Sequence, residues 1–305
     1  MPTHAAEVVV VANPTAGRGR SGKVIGKVDR LLREAGVVHE IVLSESGPDL
    51  EHRAREAAEA GAGTVAALGG DGTAGLAANG LLGTGARLAV LPSGTADDFA
   101  SSIGVRSLEG AVRAIAEGVT VSIDLIKVTT QAESRCFVNV AGCGFDSEVN
   151  EAANAMRIKL GGTGTYIAAL LKTLSRFTPA TFRIDLDGRT IEGPHMLVVV
   201  GNAISYGGGM KVTPGASLVD GMADVCLLAA LSKPAFLRAF PKVFRGTHVR
   251  HPAVRMERAA RIQVDADRHV IVYADGERVG PAPAAFEVLP GALQVIVGPN
   301  PRAVR

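Results

Sequence analysis

Apolar and polar residues follow two different periods along this chain. From Glu7 to about Lys127, short apolar runs at Val8–Ala12, Glu40–Leu43, Thr64–Leu68, Arg87–Leu91 and Thr120–Ile126 alternate with stretches of helical spacing such as Val24–Ala35 and Leu50–Ala60. Such an order predicts βαβαβ, hence a parallel sheet covered by helices on both faces. After Cys136 the period becomes two, with strands expected at Cys136–Ala141, Thr181–Asp187, Thr190–Gly201, Ala223–Leu228, Ala260–Asp265, Val270–Asp275 and Ala292–Val297. Asp187-Gly188 signals a hairpin, and helical intervals are expected at Glu148–Arg176 and Pro234–Arg245. The chain reads as an α/β domain over 1–127, a mostly antiparallel β domain over 128–298 and a tail at 299–305.

Composition narrows the class. A chain of 305 residues can bury two cores; 47% hydrophobic and 20% charged residues with net charge +2 describe a soluble globular protein, with no nucleic-acid partner expected. Cys136, Cys143 and Cys226 form no C-x-x-C pair and read as buried reduced thiols. The start, Met1 to Glu7, lacks a basic-then-apolar leader, and no stretch reaches the ~18 apolar residues of a membrane span, so a cytoplasmic location is expected.

In parallel sheets ligands gather at the carboxyl ends of strands. After the first strand, Gly17, Gly19 and Gly22 spell the dinucleotide fingerprint, while Gly17, Gly22 and Lys23 spell most of a P-loop. The first pattern wants an acid ~20 residues on, where Glu45 comes late. The second wants Ser or Thr after the lysine, where Val24 stands. Neither holds. The third strand ends in Leu68-Gly69-Gly70-Asp71-Gly72-Thr73, in which glycines admit a phosphate to the backbone and Thr73 can open a helix whose start favours anions. The fourth ends in Pro92-Ser93-Gly94-Thr95-Ala96-Asp97-Asp98-Phe99. Two such loops make a phosphate site the leading reading over plain tight turns.

The succession NPTAG (Asn13–Gly17), GGDGT (Gly69–Thr73), PSGTADDF (Pro92–Phe99), GFDSEV (Gly144–Val149), GGGM (Gly207–Met210), DGMADV (Asp220–Val225) and DGE (Asp275–Glu277) resembles the diacylglycerol kinase catalytic-domain family, which includes soluble bacterial lipid kinases and sphingosine and ceramide kinases. The likeness spans nearly the whole chain. It implies an NAD kinase/diacylglycerol kinase-like α/β domain and a β-sandwich domain enclosing ATP and a lipid hydroxyl. By this resemblance Asn13, Pro14, Thr15, Ala16, Gly17, Ser44, Gly69, Gly70, Asp71, Gly72, Thr73 and Thr95 fall where the family lines its nucleotide pocket. Asp71, Asp98, Asp124, Asp275 and Glu277 fall on its catalytic carboxylates, and Ser217, Asp220 and Met222 where some members hold a structural Mg²⁺. Two positions depart: Asp97 stands where the family often has Asn, and Leu76 where it often has Glu.

The resemblance implies an ATP-dependent, Mg²⁺-requiring kinase acting on a diacylglycerol-like lipid, with Asp71 or the Asp275/Glu277 pair supplying the base. NAD kinase is the enzymatic alternative, disfavoured by NPTAG and DGMADV; a nucleotide- or lipid-binding regulator is the other, motivated by Leu76 and Asp97. A lipid substrate places the protein transiently at the inner membrane face, through the basic amphipathic stretch Pro234–Arg245 or through Met156–Phe177, and leaves a homodimer open. Asp124, a lone acid in an apolar strand, could also simply hold a neighbouring loop. His248 and His251 read as surface residues, and Gly161–Thr165 as a hinge or substrate-side loop.

Overall fold

A computed structural model describes residues 7–14, 16–155 and 162–304. Contacts gather these residues into two compact units. The first holds residues up to Leu125, with Ser217–Gly221 and Leu289–Arg305; the second holds Ile126–Ala216 and Met222–Val288. This grouping differs from the consecutive division at 127/128 and 298/299 read from the sequence in returning Ser217–Gly221 and the C-terminal stretch to the first unit. Hydrogen bonds give the reason: Gly298 N–H donates to Ile103 O at 2.9 Å and Arg302 N–H to Ser102 O at 2.8 Å.

The first unit runs β1 (Val8–Ala12), α1 (Ala16–Glu34), β2 (His39–Leu43), α2 (Gly47–Glu59), β3 (Thr64–Gly69), α3 (Asp71–Leu81), β4 (Arg87–Pro92), α4 (Asp98–Ser102), α5 (Leu108–Glu117) and the start of β5 (Thr120–Thr129). Its parallel order is β4-β3-β1-β2, with Val65 beside Leu88 and Val10 beside Ala66 and Ile41. β1 and β3 are buried at every position, which their unbroken apolar runs require of strands covered on both faces. Ser46 and Ser107 cap α2 and α5 by accepting the N–H of Asp49 and Gly110.

The glycine-rich stretch after β1 is not a loop. α1 begins at Ala16, eight residues before the expected Val24, and takes in Gly17, Gly19 and Gly22. Gly22 N–H donates to Pro14 O at 3.2 Å, and a Cβ on Gly22 would lie 3.0 Å from that oxygen. That glycine therefore serves helix-to-loop packing.

The second unit continues with β6 (Ser134–Phe137), β7 (Val140–Gly144), α6 (Phe145–Ala155), α7 (Gly162–Arg176), β8 (Ala180–Leu186), β9 (Arg189–Gly201), β10 (Ala223–Ala229), α8 (Lys233–Ala239), β11 (Val254–Ala259), β12 (Arg261–Ala266), β13 (Ile271–Ala274), β14 (Glu277–Pro281) and the start of β15 (Ala284–Ile296). The strands pair antiparallel in the order β14-β13-β7-β9-β8-β12-β15, with β10 between β9 and β11 and β6 on β5. Their inward residues, among them Phe137, Phe182, Val198, Val264 and Phe286, form one core. A satellite core under the helices centres on Phe145, whose ring meets Phe177 at 5.1 Å and Phe236 at 4.9 Å.

Three expectations change here. Gly161 lies outside the described residues, and Gly162–Thr165 open α7 instead of forming a loop. The helix expected over Pro234–Arg245 is α8 followed by a 3₁₀ segment, Phe240–Arg245; Pro241, which has no N–H for an α-helical bond, sits at the change. β11 and β14 were not expected, because their residues mix charges with glycine or proline. No helix among the described residues is long and apolar enough to cross a membrane.

Close packing of α2 on α3 makes a test. A Cβ on Gly80 would lie 2.4 Å from Glu51 O, so Gly80→Ala should cost about 1–3 kcal/mol by overpacking, against a helix-propensity gain of ~1 kcal/mol. Gly26→Ala, exposed in α1 with nothing within 4 Å of the new carbon, should gain up to ~1 kcal/mol; urea unfolding reads both signs.

Candidate active site

The ends of β3 and β4 form one joined structure. Ser93 N–H donates to Gly69 O at 3.0 Å, and a Cβ on Gly94 would lie 2.7 Å from Gly70 Cα. A Cβ on Gly69 would fall 2.1 Å from Thr73 Oγ1. These positions admit glycine alone because backbone meets backbone or a turn closes on itself. Gly70 is the N-cap of α3 and offers no side-chain cap, so the first N–H groups of the helix, from Asp71, Gly72 and Thr73 onward, face an anion-favouring end.

Other nucleotide-pocket candidates surround these turns in the first unit. Asn13 and Pro14 follow β1, and Ala16 and Gly17 open α1. Ser44 is buried, its N–H and Oγ both donating to Ala12 O, which ties the end of β2 to that of β1. Thr73 is buried, Thr95 is exposed at the loop tip, and Thr15 lies outside the described residues. Two participants were not foreseen. Ser21 is fully buried with its Oγ 2.9 Å from Ser93 Oγ, and Arg20 reaches Gly94 O at 3.4 Å. Only the early start of α1 puts them there, and a glycine-rich basic string does not announce a helix.

The carboxylates divide by what holds them. Asp71 accepts the N–H of Asp98 at 3.2 Å and of Phe99 at 2.8 Å, fixing the start of α4 and bringing buried Asp98 beside it. Asp97 has φ +53° and accepts Gly94 N–H at 3.0 Å. Burial pushes its carboxyl up to about 6; Gly94 N–H opposes the rise, and the charges of Asp71 and Asp98 add to it. Leu76 abuts the start of α2, 3.3 Å from where a Gly47 Cβ would be.

Buried Asp124 accepts Gly221 N–H at 2.7 Å and Gly291 N–H at 2.8 Å, and its own N–H donates to Leu218 O at 2.6 Å. It thus pins the 217–221 loop and the first-unit part of β15 to β5. Ser217 is buried and Asp220 exposed in this loop; Met222, half-buried, follows in the second unit. Carbonyls and one carboxylate are all-oxygen donors, the type Mg²⁺ takes, so the donor chemistry fits that ion.

In the second unit Asp275, at φ +48°, accepts Val138 N–H at 2.8 Å, Asn139 N–H at 3.0 Å and Val140 N–H at 3.1 Å. The strand expected over Cys136–Ala141 breaks into β6 and β7 at those residues, whose N–H groups turn to the carboxylate. Glu277 is exposed at the start of β14 and, among the described residues, holds no backbone donor.

Other sequence readings resolve plainly. All three cysteines are free and buried, and burial pushes the thiols of Cys143 and Cys226 up to about 12. His248 is not a surface residue: it is 7% exposed, with Nε2 3.1 Å from Val212 O.

The chain thus has a parallel α/β unit with glycine turns at its strand ends, followed by a unit of mostly antiparallel strands. Residues 7–128 match the diacylglycerol kinase catalytic domain, and 139–297 match the YegS C-terminal NAD kinase beta sandwich-like domain. The chain belongs to the diacylglycerol kinase catalytic-domain family. It is 36% identical over 295 residues to a diacylglycerol kinase of Mycobacterium tuberculosis, covering 95% of this chain and 94% of the relative. A diacylglycerol kinase of Bacillus subtilis is 30% identical over 293 residues, 94% and 95% of the two chains. The fold is shared with a crystal structure of a diacylglycerol kinase from Bacillus anthracis, with TM-score 0.73, 23% identity and coverage of 97% and 98%.

Asp97 makes a pH test. Its folded value, about 6, lies above the ordinary 3.8, so folding favours the proton and stability is lost as pH rises through 6. Asp97→Asn keeps an acceptor for Gly94 N–H without the charge. Its melting temperature should nearly equal the wild type's near pH 3, exceed it increasingly between about pH 4 and 6, and keep a constant excess above about pH 7; a difference that does not change between pH 3 and 7 would refute the shift.

Proposed function

We propose that this protein is an ATP-dependent, Mg²⁺-requiring kinase that phosphorylates the hydroxyl of a diacylglycerol-like lipid. The observation that carries the reading is the joined pair of glycine turns at β3 and β4, which present an uncapped helix start behind Gly69 and Gly70. ATP would supply the phosphoryl group and Mg²⁺ the charge compensation that such transfer needs. Backbone N–H groups of the Gly69–Thr73 turn would orient the phosphates, and Asp71 keeps the Asp98 segment in register with them.

Glu277 is our choice of general base. Asp275 already accepts three backbone N–H groups and serves to position the 138–140 turn. Glu277 carries no such restraint. The lipid hydroxyl would give it a proton as the oxygen attacks, and Glu277→Gln should lower kcat by about 10²–10⁴-fold with KM for ATP nearly unchanged. Labelled ATP and diacylglycerol vesicles measure this; an undiminished kcat removes Glu277 from the role, and phosphorylation of NAD in place of lipid would make the protein an NAD kinase.

Lipid is favoured over a dinucleotide by a cavity in the second unit. It lies under α8 and the 3₁₀ segments, lined by Phe145, Leu170, Leu197, Met210, Val212, Leu228, Phe236, Phe240 and Val243 with few polar groups. A dinucleotide would find few partners there. The cavity holds ≈ 80 Å³, against ~300–1,000 Å³ for ligand pockets in general, so an acyl chain enters by displacing the short helical cover.

The same cover suits a peripheral membrane contact. Leu237 and Phe244 are 44% and 46% exposed, Leu171 on α7 is 49% exposed, and Arg238, Lys242 and Arg245 lie among the first two. At about 1 kcal/mol per basic residue near an anionic surface, Arg238→Glu with Lys242→Glu should weaken binding to phosphatidylglycerol vesicles by at least about thirtyfold at low salt. Sedimentation measures it, and unchanged binding assigns these residues to the protein surface alone.

A further inference from the structure

The two glycine turns differ in what the protein itself offers their N–H groups. At the end of β3, Gly70 opens α3 without a side-chain cap. At the end of β4 the chain supplies an acceptor of its own. Asp97 Oδ1 takes the Gly94 N–H at 3.0 Å. The same oxygen lies 2.6 Å from where a Cβ on Gly94 would stand and 3.6 Å from where one on Gly70 would stand. One carboxylate oxygen therefore sits on the joint between both turns.

Backbone and burial keep it there. Asp97 has φ +53°, a left-handed conformation that aspartate tolerates better than most residues, and its side chain is half-buried. Charged groups face the carboxyl from three elements. Asp71 at the start of α3 and Asp98 at the start of α4 oppose its ionisation, whereas Arg20 on α1, which also reaches Gly94 O at 3.4 Å, favours it. Burial is the largest influence and, with Gly94 N–H opposing it, brings the carboxyl up to about 6. The group is thus charged at neutral pH, so three carboxyl groups stand against one guanidinium. Phosphates bind through N–H donors and positive charge. A carboxylate fixed on this joint repels them and holds a donor they could use.

We propose that Asp97 is an affinity-determining residue of the nucleotide site, whose carboxylate weakens the hold of the two glycine turns on phosphate and so favours release of the nucleotide. The inference rests on the nucleotide-binding reading of these turns. Asparagine at this position would keep an acceptor for Gly94 N–H and lose only the charge.

Calorimetric titration of the whole chain with ATP and Mg²⁺ compares wild type with Asp97→Asn. At pH 7.5 the variant should bind roughly tenfold more tightly, and at pH 5 the two should agree within about twofold, because the wild-type carboxyl is then protonated. Comparing the proteins at one pH sets the nucleotide's own titration aside. Equal or weaker binding by the variant at pH 7.5 overturns the proposal, and so does an advantage that persists undiminished at pH 5, which would belong to packing and not to charge. Proton uptake gives a second readout. Phosphate beside the carboxylate raises its affinity for a proton, so at pH 6.5 wild type should take up more protons per nucleotide bound than the variant, measured from binding heats in buffers of different ionisation enthalpy. Equal uptake by both proteins overturns it as well. If neither protein binds ATP at either pH, the nucleotide reading of the turns fails; if both bind alike, that reading stands and the role of Asp97 falls.

Discussion

Carboxylates that capture backbone N–H groups from distant segments hold this protein's functional loops. Asp71 binds two N–H groups 27 and 28 residues away, Asp124 binds two at separations of 97 and 167, and Asp275 binds three at 135 to 137. All but the Gly291 N–H, which lies within β15, are in a turn or at an element's end, where strand or helix bonding leaves donors over. Charged acceptors make the strongest bonds of this kind, so one aspartate can fix a turn that regular secondary structure cannot. The start of α4, the 217–221 loop and the break between β6 and β7 all depend on it.

The proposed chemistry rests on which carboxylates are spared. An acid that accepts backbone donors positions the chain, whereas Glu277 is exposed at the start of β14. Asp97 is the costly member of the set. Its left-handed backbone and half-buried carboxyl sit beside two other acids, and the bond from Gly94 only partly offsets the burial. That arrangement places a titrating group in the physiological range directly on a phosphate-type turn.

The second unit supplies a different environment. Its sheet carries a helical cover of short pieces, α8 and two 3₁₀ segments, in which Pro241 prevents one long helix. Membership of the diacylglycerol kinase catalytic-domain family and the apolar cavity under this cover agree on a lipid acceptor, and the cover's exposed Leu237 and Phe244 suit the surface where such a substrate resides.

Much of this was legible in the sequence because it rests on short-range rules. The apolar runs of β1 and β3, the two periods of the halves, and the glycines of GGDGT follow from local sterics and burial, and the structure keeps them nearly to the residue. Tertiary structure alone decided the rest. That Gly17–Gly22 belong to a helix depends on Pro14 folding back onto Gly22; that Ser21 joins the site depends on Ser93, 72 residues away. His248 looked like a surface residue because nothing adjacent announces Val212, 36 residues upstream. Leu289–Arg305 return to the first unit because the acceptors for Gly298 and Arg302 lie on or just after α4. Residue spacing encodes which side chains share a face, but not which distant backbone groups are left without partners, and in this protein those groups determine where the carboxylates are fixed.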